Sequence, residues 1–304
     1  MARGPWWQDR VAQLLAPHDV TSLDLGALWR LRERLDFVRQ NVDPALLALD
    51  VAAAPALAEV WSAFGVREAS VRQALEVASN ALAGRVRLGE LGRAAFRASW
   101  EGLGFERHAE GAGTPADDYL DGLLHLAVLA DDLHAGGEGH INLGTRAARV
   151  SDFLSVARPG PEDIVFDLGS GSGKLALTVA ASSDCRVRGV EYVSAYVDEA
   201  ARGAARLGLA RCTFTHADAR DVDLAPGTIF YLYHPFHGAV ARDVAVALGA
   251  LGAAKPITIY VAGPRQDYGE HFLAQPGLAV SERRGEFGEV LVLRSRGALR
   301  GVPS

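Results

Sequence analysis

The sequence predicts an α/β protein: an all-helical front, then a mostly parallel sheet that ends on an antiparallel strand. Three observations lead there. From Asp163 onward, short β-rich runs alternate with Ala-rich helical runs, the rhythm of βαβ units. The first of these runs passes straight into a glycine-rich turn that opens a helix. Before Gly102, apolar residues recur at three and four residues, which is helical spacing.

In the front region Leu25, Leu28, Leu31 and Leu35 form such a stripe, with Arg30, Arg32, Glu33 and Arg34 between them. Residues 45–64 and 71–82 repeat the habit, and Pro55 kinks or splits the first of these. Residues 41–44 and 65–70 read as breaks with capping residues. Four or five packed helices are expected. Residues 102–115, rich in glycine, form a linker or loop. Residues 117–132 return to helical spacing through Leu120, Leu123, Leu124 and Ala127. A glycine-rich break follows, and residues 145–157 read as a further helix before Pro159.

The strands are expected at 164–168, 186–191, 212–216, 228–233 and 257–262, with helices between them. Residues 278–282 and 289–295, separated by 283–288, read as a hairpin that closes the sheet with an antiparallel strand.

Composition narrows the function. Hydrophobic residues are 49% and charged residues 22%, which excludes a disordered or collagen-like chain. Cys185 and Cys212 are the only cysteines, too few for a disulfide framework and suited to a reducing, cytoplasmic setting. The net charge is −6, so the basic excess of a general nucleic-acid grip is missing and nucleic acid is not expected as the main partner. No apolar run is long enough for a secretory signal or a membrane span, so no membrane partner is expected.

The strongest signal is Asp167-Leu168-Gly169-Ser170-Gly171-Ser172-Gly173-Lys174. Glycines there let the backbone turn tightly and approach a ligand. The following helix N-terminus offers free N–H groups to an anionic ligand group. Glu191 ends the next strand, where an acid can accept both hydroxyls of a ribose. The phosphate loop of NTPases is excluded, because Leu168 and Leu175 stand where that loop needs glycine and a hydroxyl. The dinucleotide fingerprint matches formally through Gly171, Gly173 and Ala176, but it leaves Asp167 and Gly169 without a role.

These residues resemble the first motif of the Rossmann-like, class I S-adenosylmethionine (SAM)-dependent methyltransferases. Residues 163–191 also look like the SAM-binding core of the non-SET histone-lysine methyltransferases. The resemblance covers residues 141–296. It implies a seven-stranded Rossmann-like sheet with the last strand antiparallel, and SAM as cofactor. By resemblance Asp167 and the loop of Gly169, Ser170, Gly171 and Gly173 hold the methionine moiety, and Glu191 the ribose. Asp218 bonds the adenine amino group and Ala219 contacts the ring; Asp218 also reads as a helix N-cap. Tyr192 packs on adenine or is an ordinary rim aromatic. Thr145 and Arg146 either reach the SAM carboxylate or simply start a surface helix.

Tyr231-Leu232-Tyr233-His234-Pro235-Phe236 falls at the family's active-site motif. His234 stands where many nitrogen-methylating relatives carry Asn or Asp. A histidine there orients an acceptor or takes its proton, and His234 also borders the cofactor. His237 is the runner-up. Asp131, Asp132, His134, Glu138 and His140 match no zinc template, so no metal is expected. The expected domains are a helical region, 1–115, for acceptor cover or homodimerisation, and a SAM-binding methyltransferase domain, 116–304. The acceptor is expected to be a nitrogen or oxygen of a small molecule or modified peptide. An NAD(P)-dependent oxidoreductase and a non-catalytic SAM-binding or interaction module are the alternatives.

Overall fold

The computed structural model describes residues 6–16, 19–41, 54–108, 113–124, 144–263, 266–285 and 290–296. The chain forms two compact units. One combines Met1–Gly84 with Gly104–Leu124, the other Arg85–Leu103 with His125–Ser304.

The described helices of the first unit are α1 (Trp6–Leu15), α2 (Leu25–Asn41), α3 (Ala54–Arg87, whose last turn enters the second unit) and α5 (Pro115–Leu124). The leucine stripe buries Leu25, Leu28 and Leu35. Gly122 lets α5 approach α2 closely: an added Cβ would lie 3.2 Å from both Leu25 and Trp29. Asp118 of α5 accepts from or pairs with His108 at 2.7 Å, and Arg30 lies 3.4 Å away. The break expected at 65–70 is absent, and α3 runs straight through it. Gly65 faces open space, and the apolar face continues through Phe64, Val71 and Leu75, all buried. Continuous burial outweighs the small helix penalty of one glycine. Pro55 sits in the first turn of α3, where its missing N–H costs nothing; residues 45–53 of the helix expected around it lie outside the described residues.

The second unit opens with α4 (Arg93–Glu101), which buries Phe96 and Trp100. Glu101 accepts from Arg97 at 2.9 Å and from Ser151 at 2.6 Å, fastening α4 to α6 (Ala147–Ala157). Then come β1 (Ile164–Leu168), α7 (Lys174–Ser182), β2 (Arg186–Glu191), α8 (Ser194–Leu207), β3 (Cys212–His216) and β4 (Ile229–Tyr233). The chain continues through α9 (Gly238–Ala254), β5 (Thr258–Ala262), α10 (Gln266–Leu273), β6 (Leu278–Arg284) and β7 (Val290–Ser295).

The seven strands lie in the order β3-β2-β1-β4-β5-β7-β6. Neighbours from β3 to β5 are parallel, and β7 is antiparallel to both β5 and β6. The expected hairpin forms, but β7 inserts between β5 and β6, so β6 is the edge. Alternation along the strands sorts the two faces. Phe166, Leu168, Phe230, Leu232, Ile259 and Val261 join one apolar core with residues of α9 and α10. On the other face Tyr231 stacks on Tyr260 with ring centres 5.4 Å apart, and Phe153 of α6 meets both edge-on. Asp152 of α6 ties that face to β5 and β6, accepting from Tyr260 at 2.5 Å and from Arg284 at 2.6 Å.

Candidate active site

Parallel strands deliver all their C-terminal ends to one edge, and ligands bind where the strand order reverses. Here β1 is the reversal point, with β2 on one side and β4 on the other. The residues that follow β1, β2, β3, β4 and β5 are therefore the ones that build a site.

After β1 the backbone turns through Gly169, Gly171 and Gly173, all with positive φ (79°, 51° and 86°). Side chains avoid that region, so glycine is required on conformation alone. The Gly169 and Ser170 N–H groups both donate to the Val190 carbonyl, at 2.8 and 3.0 Å. An added Cβ on Gly169 would overlap Pro235, and one on Gly173 would lie 2.8 Å from Ala200 and 2.9 Å from Phe214. For these two glycines the space is filled by protein. Their bareness brings the turn after β4 and helix α8 against the loop, a packing role that sequence reasoning assigned to a ligand.

Gly171 offers its N–H at 2.8 Å to Glu191 Oε2, and Val193 N–H donates to Oε1 at 2.9 Å. The Glu191 carboxylate therefore braces the loop from the end of β2. Asp167, at 3% exposure, lies in the row Asp167–Tyr231–Tyr260 across three strands. Burial pushes its carboxyl up to about 7, the Ala176 backbone N–H pulls it down, and the Glu191 charge raises it further. A buried acid in that state fits a cationic ligand group, which would hold it ionised.

Beyond β2, Tyr192 is 60% exposed, open for an aromatic base to lie on. Asp218, after β3, begins a turn and not a helix: Arg220 N–H donates to Oδ1 at 2.9 Å. Arg220 also grips both carboxylate oxygens, at 3.0 and 2.7 Å, and holds Asp218 below the usual carboxylate range. That pairing is invisible to motif reading, because the two residues are adjacent only through the turn. Ala219 is buried and lines a pocket of about 340 Å³ with Val222, Leu224 and Val244.

His234 follows β4 in the left-handed backbone region, φ 47°, and is 9% exposed. A non-glycine residue held there costs about 1–2 kcal/mol, and such residues cluster at functional sites. Pro235 seats on Gly169, so the turn after β4 is locked to the glycine loop. His237 is half-buried and serves as the N-terminal flank of α9.

On the Tyr231 face, the Tyr231 hydroxyl lies 3.5 Å from Thr145 Oγ1. Arg146 is exposed and precedes α6. The arginine that reaches the sheet is Arg149, one turn on, whose guanidinium lies 5.3 Å from the Tyr233 ring centre. The missed signal was spacing: once the helix starts at Ala147, Arg149 falls on the side of Val150 and Phe153. Asp131, Asp132, His134, Glu138 and His140 lie outside the described residues. Among the described residues no group of three His, Cys, Asp or Glu could hold a metal, and no helix is long and apolar enough to cross a membrane.

Residues 165–248 match the family model described as a methyltransferase domain. The chain therefore carries a methyltransferase domain over these residues. The methyltransferase domain is similar to solved structures that each cover about half of this chain. A Salinibacter ruber RNA methyltransferase in complex with S-adenosylhomocysteine (SAH) is 21% identical over 50% of this chain and 92% of its own, with a TM-score of 0.40. TrmN from Thermus thermophilus is 23% identical over 48% of each chain, with a TM-score of 0.41. Precorrin-6y C5,15-methyltransferase from Geobacter metallireducens is 17% identical over 54% of this chain and 93% of its own, with a TM-score of 0.40.

Proposed function

We propose that this methyltransferase moves the methyl group of SAM to a nitrogen or oxygen of a small molecule or modified peptide, with His234 on the acceptor side. The observation that carries the reading is the contact of Pro235 on Gly169, which joins the left-handed turn at His234 to the cofactor loop.

In this reading Asp167 holds the ammonium of the methionine moiety, beside the loop of Gly169, Ser170, Gly171 and Gly173. Glu191 holds the ribose hydroxyls while it braces Gly171. Tyr192 lies on the adenine, Ala219 borders it, and Asp218 bonds its amino group after releasing part of its grip on Arg220. Thr145 and Arg146, with Arg149 as the better placed arginine, face the carboxylate end. When bound, SAM supplies an already activated methyl group, so the protein's work is proximity, orientation and exclusion of water. His234 accepts a hydrogen bond from the acceptor or removes its proton, with His237 as the alternative base.

The net charge of −6 supports a small or peptide acceptor over nucleic acid. The likeness to the non-SET histone-lysine methyltransferases concerns cofactor residues and carries no acceptor with it. For the helical region the reading assigns acceptor access or homodimerisation.

The test is methyl transfer from label-bearing SAM into separated small-molecule, peptide and RNA pools, with His234→Ala as control. Label in the small-molecule or peptide pool, lost in the variant, supports the reading. Label confined to RNA overturns the acceptor class.

A further inference from the structure

We infer that Gly263 is a positioning residue: its missing side chain is the space in which the His234 ring stands. The inference rests on the reading of His234 as the acceptor-side group.

The sequence singles out neither the position nor the pair. Ala262 ends β5 and lies opposite Tyr233, which ends β4, so Gly263 and His234 leave adjacent strands side by side. A Cβ on Gly263 would lie 2.8 Å from His234 Cβ, 2.9 Å from Cδ2 and 3.1 Å from Cγ. Those atoms are the stem and near edge of the histidine, not the far end of a flexible chain. The histidine has little room to retreat. Tyr233 is held in the β4–β5 ladder on one side, and Pro235 is seated on Gly169 on the other. Gly263 also has φ 149°, which side-chain-bearing residues rarely adopt. Two neighbouring backbones thus carry positive φ at one strand end, one bare and one bearing the imidazole. The bare one leaves room for the other's ring at the C-terminal end of β4.

Gly263→Ala therefore moves the ring while leaving the cofactor residues after β1 and β2 in place. The experiment uses the full chain labelled with ¹⁵N-histidine, with the His234 imidazole resonances assigned by their loss in His234→Gln. In Gly263→Ala the His234 resonances should shift while those of the other eight of the nine histidines hold. SAH affinity by calorimetry should stay within about threefold, and turnover in the pool that takes label should fall by about 10²-fold, the reach of a positioned base. Where Gly263→Ala folds poorly, the double variant with His234→Gly is decisive. Glycine tolerates the left-handed backbone at 234 and removes the opposing Cβ, so the double variant should regain part of the lost Tm. Unmoved His234 resonances, or no recovery in the double variant, overturn the inference. Turnover lost in His234→Ala but kept in Gly263→Ala overturns the role of Gly263 alone. Turnover kept in both overturns the reading of His234 first, and the positioning role with it.

Discussion

With Asp167 proposed to hold the ammonium of the cofactor, binding should strengthen as pH rises. Burial raises its carboxyl from the ordinary 3.8 to about 7, with the Glu191 charge adding to the rise. An ammonium beside it favours the ionised form, so the ionised form is the one that binds tightly. With a midpoint near 7, about a tenth of the molecules are ionised at pH 6 and about nine tenths at pH 8. SAH affinity should therefore rise about tenfold between pH 6 and pH 8. Asp167→Asn removes the titrating group, so its affinity should be lower at pH 8 and its pH slope nearly flat. Calorimetry of SAH at pH 6, 7 and 8 on both proteins checks this. A flat parent, or a slope that survives in Asp167→Asn, would refute the assignment. The same shift acts on stability. The folded carboxyl keeps its proton to a higher pH than the unfolded one, so this group's contribution is intact below about pH 4 and is lost as pH rises to about 7. Asp167→Asn should lack that decline.

Three further outcomes follow from the site. Glu191→Ala removes the brace on Gly171 and Val193 together with the proposed ribose partner, so SAM and SAH should weaken together by about 10–100-fold, from about 1.5–3 kcal/mol per charge-assisted bond. Calorimetry showing an effect on only one ligand would contradict this. Gly169→Ala combines a left-handed φ with overlap on Pro235, and thermal melting should drop by at least about 4 °C; an unchanged Tm would refute the loop-to-turn contact. His234→Ala should leave SAH affinity near that of the parent and lower turnover by about 10²-fold or more. Activity retained in His234→Asn points to orientation of a nitrogen acceptor, and activity lost points to proton removal.

Local pattern carried most of the elements. The runs 164–168, 186–191 and 212–216 coincide with β1, β2 and β3. Each is a short run bounded by turn residues, and the interior strands β1 and β2 are covered on both faces. The misread break at 65–70 has a physical cause. A single glycine is a weak local signal, and the buried face that overrides it spans several turns of α3. Helix α1 was missed because ten residues offer too few repeats to show a period.

What the sequence by itself determined is the alternating fold, the glycine turn after β1 and the acid that ends β2, because each depends on residues a few positions apart. Tertiary structure alone decided which distant backbones meet: Pro235 on Gly169, Phe214 on Gly173, His234 on Gly263, β7 between β5 and β6. It also assigned α4 to the α/β unit and α5 to the helical one, across the boundary that composition suggested. Such contacts join residues tens of positions apart and depend on ångström-scale space, on which a string of residue types is silent until the strands are laid side by side.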